Sequence, residues 1–322
     1  MRTILAVATV ALTLGVLPSN RVQAGPLPKG AVPADAGWVA HVDLDQLQKS
    51  QLGTQLIKTF VEPKAQEVSR ALSASFGIDL DWRQIHSVTA YGTQLAKNPE
   101  KDAVVLIQSD LPVQATLDKL TSALKTANDK NPALPINRSQ VDGFDLFGIH
   151  QDAFLSLANS NLLVLGKTKD SVTRARKQLS AGTTAGKAPA LLDEPPTGEM
   201  PLAWVAASGS LADGFDLPPQ AAVLKKTDGV RLSLTEVTQD LLAKLTFKAR
   251  TAEIVDQLQQ ALQGVVALAT LGTSENPQAQ QLLKGVRVDR RDQDVELGIR
   301  MPLTELTKWL EPKAKKQRAA RR

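Results

Sequence analysis

Cysteine is absent from all 322 residues, so the chain forms no disulfide and offers no thiolate to a substrate or a metal. Aromatic residues make up only 4%, with a single tyrosine, which weighs against sugar-stacking and base-stacking surfaces. Long apolar runs are missing beyond the first segment. The richest other one, Val265 to Leu271, falls far short of the roughly 20 residues that span a bilayer as a helix. No Gly-x-Ser-x-Gly elbow is present.

What stands at the start is informative. Met1-Arg2-Thr3 leads into residues 4–17, which are apolar apart from Thr9, Thr13 and Gly15. Pro18 and Asn20 break the run, and Val22-Gln23-Ala24 follows. A basic start, a short apolar stretch and small residues at a cut site make a secretory signal peptide, with cleavage expected after Ala24. The run is too short for a membrane anchor, and no cysteine follows it to carry a lipid. The expected product is exported to the periplasm or beyond, with no transmembrane segment in the mature chain.

Positive charge is unevenly placed. The net charge is +5. Arg2 and Arg21 leave with the leader, and Lys313, Lys315, Lys316, Arg318, Arg321 and Arg322 hold six more positive charges at the end. Residues 25–312 are therefore mildly acidic, at about −3. A nucleic-acid-binding domain carries its cations on a folded surface, so no nucleic acid partner is expected. The six tail cations are candidate contacts to an anionic surface, although such runs are ordinarily solvated and unstructured.

Between the ends, the pattern repeats. Trp38 to Val42 alternates as a strand, and Asp43 or Asp45 starts a helical region in which Val61, Ala65, Val68 and Leu72 share one face. Gly77 fits the end of that helix, and Asp81 caps a short turn at residues 82–85. Val88 to Gly92 and Ala103 to Gln108 read as strands. Asp110 and Pro112 then open a helix striped by Val113, Leu117, Leu120, Leu124 and Ala127. Ile136 to Val141 and Phe144 to Ile149 form a hairpin at Asp142-Gly143. Residues 154–157 and 162–165 add two strands, and a helix follows over 170–179.

The second series is alike. Val230 to Val237 and Leu241 to Phe247 are strands. Thr251 caps a helix striped by Ile254, Leu258, Ala261, Leu262, Val265, Val266 and Ala269, and Val286 to Arg290 and Val295 to Arg300 pair around Asp292-Gln293. Residues 145–150 resemble residues 295–300, and Trp38-Val39-Ala40 resembles Trp204-Val205-Ala206. The expected fold is α+β: a two-layer sandwich of antiparallel sheets with helices on one face, in two related β-β-α-β-β units. The expected organisation is a leader at 1–24, a first unit at 25–180, a linker at 181–201, a second unit at 202–311 and a basic tail at 312–322. Whether the units share one sheet is open.

Catalytic patterns fail on inspection. Gly166-Lys167-Thr168 lies between a strand and a helix, but the earlier glycine of a phosphate loop is missing because position 161 is Asn. Thr168 reads instead as the start of a helix. Ser122-Ala-Leu-Lys125 has no Lys-Thr-Gly partner. His41, His86 and His150 are far apart in sequence, unlike the close pairs of metal sites. Asp43/Asp45 and Asp79/Asp81 sit where helices begin, so capping explains them. No catalytic residue, cofactor or metal is expected.

Residues 32–44, from Val32-Pro33-Ala34-Asp35 through Gly37-Trp38-Val39-Ala40-His41 to Leu44, together with the later hairpins and the terminal Pro302-Leu-Thr-Glu-Leu306, resemble exported bacterial proteins of unknown function with an α+β repeat body. The resemblance is one of pattern, brings no catalytic residue, and implies a non-enzymatic envelope or extracellular role. Two functions follow as expectations: a binding or scaffolding protein whose partner is an envelope protein or an anionic surface, and an exported hydrolase whose site pairs a histidine with an aspartate.

Overall fold

The computed structural model describes residues 27, 30–76, 81–94, 101–128, 136–149, 153–182, 192, 200–209, 223, 225–273 and 277–306. The leader at 1–24, Gly77, Asp79, most of the 181–201 linker and the 312–322 tail lie outside them.

Among the described residues twelve strands form one sheet. In chain order they are β1 (Trp38–Asp43), β2 (Ile85–Gly92), β3 (Val104–Ser109), β4 (Ile136–Val141), β5 (Phe144–Ile149), β6 (Ala153–Asn159), β7 (Leu162–Gly166), β8 (Ala203–Ser208), β9 (Thr227–Val237), β10 (Asp240–Ala249), β11 (Val286–Arg291) and β12 (Asp294–Pro302). Their order across the sheet is β11-β12-β10-β9-β8-β1-β2-β3-β7-β6-β5-β4, and neighbours run antiparallel. The helices are α1 (Leu44–Lys49), α2 (Gln51–Leu56), α3 (Glu62–Phe76), α4 (Val113–Asn128), α5 (Lys169–Ala181), α6 (Ala252–Gly272) and α7 (Pro277–Lys284), with a π-helical turn over Ile57–Val61 joining α2 to α3.

The α+β class and the two related halves are as the sequence suggests, and the open question is answered: the halves share one sheet, joined where β1 pairs β8. The second half has the simple form, with β10 beside β12. In the first half the β6–β7 hairpin is inserted between β3 and β5. Asp142 and Gly143 turn their hairpin with φ of 52° and 81°, and Asp292 turns the matching one at 50°, the left-handed geometry a tight hairpin requires.

Alternation along the strands fixes two faces. On face B, Val105, Ile107 and Leu165 pack with Val113 and Leu117 of α4. Phe247 and Val295 pack there with Val255, Leu258 and Leu262 of α6. On face A, Val104, Leu106 and Val164 pack with Val172 and Ala175 of α5 and with the incoming residues Ala31 and Val32. Helical cover is therefore not confined to one face, because β7 delivers α5 to the other side.

Face assignment sharpens the internal likeness. Phe147 and Leu297, equivalent in the two similar hairpin strands, both lie on face B. The leading strands match differently. Val39 packs in the face A cluster, whereas Val205 pairs with Ala40 and Leu232 and so lies on face B. The Trp-Val-Ala likeness is thus one of composition, out of step by one residue, which in a strand reverses the face.

Candidate functional site

Register places one residue of each strand in a row across face B. From β4 it reads Arg138, Phe147, Leu155, Leu165, Val105, Ala90, Ala40, Val205, Leu232, Leu245, Leu297 and Val288. All but the first are apolar. Among the described residues α4 and α6 cover the ends of the row and no helix covers its centre: Val205 and Leu232, opposite each other, are each 40% exposed. Two large apolar side chains are thus left open at mid-sheet, as Val265, Leu268 and Leu271 are along α6.

A helical bridge crosses the seam at one end of this gap. Leu52 of α2 packs with Leu202, Leu241 and Leu303 of the second half. Asp43 caps α1 by accepting from the Gln46 amide at 2.8 Å, and Ser50 caps α2 through the Gly53 amide. Glu236 of β9 accepts from the Gln51 and Leu52 amides at 2.8 and 2.9 Å.

The first-half side of the bridge is held by His86. Its Nδ1 lies 3.1 and 3.2 Å from the two carboxylate oxygens of Asp45 on α1. Its Nε2 lies 3.0 Å from Asp110 Oδ2, an ion-pair distance off the ideal hydrogen-bond direction. Asn161, in the β6–β7 turn, donates to the other oxygen of Asp110 at 3.0 Å. Burial acts to lower the His86 pKa, but the two carboxylates outweigh it and the net shift is upward. Asp45 and Asp110, readable in sequence only as capping residues, are the partners of this histidine, while Asp43 does the capping.

His41 is a different case. It lies on face A, its Nδ1 2.9 Å from Thr89 Oγ1 and its ring 5.9 Å from that of Trp204. Burial lowers its pKa to about 4, so it is neutral at ordinary pH. His150 and the tail cations Lys313, Lys315, Lys316, Arg318, Arg321 and Arg322 lie outside the described residues. Asp81 caps its turn as expected, accepting from the Arg83 amide at 3.0 Å. Thr168 caps α5, accepting from the Ser171 amide at 3.1 Å.

A cleft of about 670 Å³ is lined by Thr93, Gln94, Lys101, Asp102, Thr168, Asp170, Ser171 and Arg174, with no histidine among these residues. Among the described residues no group of three His, Cys, Asp or Glu is arranged to hold a metal, and no helix is long and apolar enough to cross a membrane.

No family model matches the chain, and no curated protein matches it. Three crystal forms of a protein titled TP0453 are similar in structure. Form III has a TM-score of 0.46 at 11% identity, covering 88% of this chain and 97% of that one. Form I gives 0.44 at 13% identity, covering 88% and 96%, and form IV gives 0.45 at 11% identity, covering 89% and 97%. Nothing about function follows from likeness at this level.

Sequence reasoning missed Val205, Leu232 and Asn161. Val205 and Leu232 look like ordinary strand positions, and only strand order shows that no helix among the described residues covers them.

Proposed function

We propose that this is an exported, non-catalytic envelope protein that acts by binding or scaffolding, and that its partner is an envelope protein presenting an apolar segment to the centre of face B. The observation that carries the reading is the open pair Val205 and Leu232 at the centre of an apolar row whose ends pack against α4 and α6. The leader, with its short apolar run and Ala24 cut site, supports export to the periplasm or beyond. The basic tail adds a second contact, to anionic surfaces, at about 1 kcal/mol per cation near a charged membrane.

The absence of cysteine makes the test clean. Val205→Cys carries a single thiol for a photo-crosslinker, and Lys284→Cys, at an exposed position ending α7, is the control. In cells, Val205→Cys should give an adduct of one defined mass that Lys284→Cys does not, reduced when the native protein is co-expressed in excess. Equal labelling at both positions would overturn the reading.

An exported hydrolase is the second reading, favoured by the aspartates beside His86. It stands second because both ring nitrogens of His86 face carboxylates, leaving neither free to take a proton from a nucleophile. Hydrolysis of ester, phosphoester or peptide substrates by the purified protein, lost in His86→Gln, would reverse the order.

A further inference from the structure

We propose that Asp45, His86 and Asp110 form a pH-sensitive latch, which fastens the α1–α2 bridge across the seam when His86 is doubly protonated and loosens it when that proton is lost.

The geometry carries this. A carboxylate oxygen only accepts, and a neutral imidazole has one N–H and one bare lone pair. With Nδ1 at 3.1 Å from Asp45 and Nε2 at 3.0 Å from Asp110, both nitrogens need a proton for both contacts to be attractive. Removing one proton turns one of the two contacts into lone pair against lone pair. The site is shielded, with side-chain exposure of 11% for His86, 22% for Asp45 and 13% for Asp110, so solvent screens the change only in part.

The charges acting on the ring are Asp45 from α1 and Asp110 from the segment after β3. Lys49, in the last turn of α1, acts on Asp43. Asn161, the remaining partner of Asp110, is neutral.

What the latch holds is equally plain. Asp45 sits in the first turn of α1. Leu47 of α1 packs with the Leu52 cluster on the second half and with Ile57 and Trp82 on the first. The far end of the bridge is pinned by Glu236. Loosening the His86 end frees α1 and α2 while the sheet stays intact.

The sign follows from the raised pKa. The stabilisation is full below 6.5, the ordinary histidine value, and is lost as pH rises through the folded midpoint. Between those two points the protection of α1 and α2 amides falls by up to about tenfold per pH unit.

The test combines a histidine titration by nitrogen-15 NMR with hydrogen exchange, corrected for the intrinsic pH dependence of exchange. His86 should titrate above 6.5 and show two protonated ring nitrogens below its midpoint. Protection in α1 and α2 should fall over that window while α6 amides do not follow. Asp45→Asn and Asp110→Asn should each lower the midpoint, and His86→Gln should make α1–α2 protection flat with pH. If His86→Gln does not fold, the native titration decides alone. A midpoint at or below 6.5, or α1–α2 protection that ignores the titration, overturns the latch.

Discussion

Replacing Trp204 by alanine tests the single-sheet architecture at its seam. Trp204 is 2% exposed, sits on β8 opposite His41 of β1, and packs in the face A cluster of the first half. Burying a tryptophan removes about 200 Å² from water, which at about 25 cal/mol per Å² corresponds to about 5 kcal/mol. Measured losses for such truncations run about 3–5 kcal/mol, because the site relaxes in part. At about 2 °C per kcal/mol, the low end for a chain of this size, Tm should drop by roughly 6–10 °C. The decisive readout is where stability is lost. Amide exchange in β5 and β12, far out on either side of the seam, should accelerate by the same factor, because one continuous sheet unfolds as one unit. If β12 accelerates while β5 keeps its protection, the halves are independent and the reasoning fails. The ring of His41 should also gain water, and its pKa should climb from about 4 back toward the ordinary value.

His41 itself predicts an acid response. Its pKa is lowered from 6.5 to about 4, so the fold must keep it neutral. Stability is then full above pH 6.5 and falls by roughly 3 kcal/mol as pH drops to about 4. Urea melts across that range should show the slope in the native protein and not in His41→Gln, and a slope unchanged by the substitution would reject the assignment. Gly143 tests the hairpin turn: its φ is +81° and an added Cβ meets nothing within 4 Å. Gly143→Ala should therefore cost about 1 kcal/mol by backbone strain alone, seen as a slightly lower Tm. An equal or higher Tm would show that the turn does not need the left-handed region.

Much of the fold was legible because its signals are local. Period-two alternation marked the hairpins, Asp142-Gly143 marked a turn, and Thr168 and Thr251 marked helix starts; each depends on residues within a few positions of one another. The related halves were visible for the same reason. The leading strands show the limit, since a one-residue offset keeps the composition of Trp-Val-Ala and reverses its face. Of the candidate site, only the idea of a histidine beside an aspartate was legible, not which residues meet. Asp45, His86 and Asp110 are separated by 41 residues and then 24 more, and each alone reads as a cap or a strand residue.

The sequence by itself determined the absence of cysteine, the run of basic residues at 313–322, the α+β class and the hairpins, because propensity, charge and periodicity are properties of short segments. Only the tertiary structure decided that β1 and β8 join the halves into one sheet, that Val205 and Leu232 are left open, and that His86 is held between two aspartates. Those outcomes rest on pairings between distant strands, and the order of strands across a sheet is written in no local stretch of the chain.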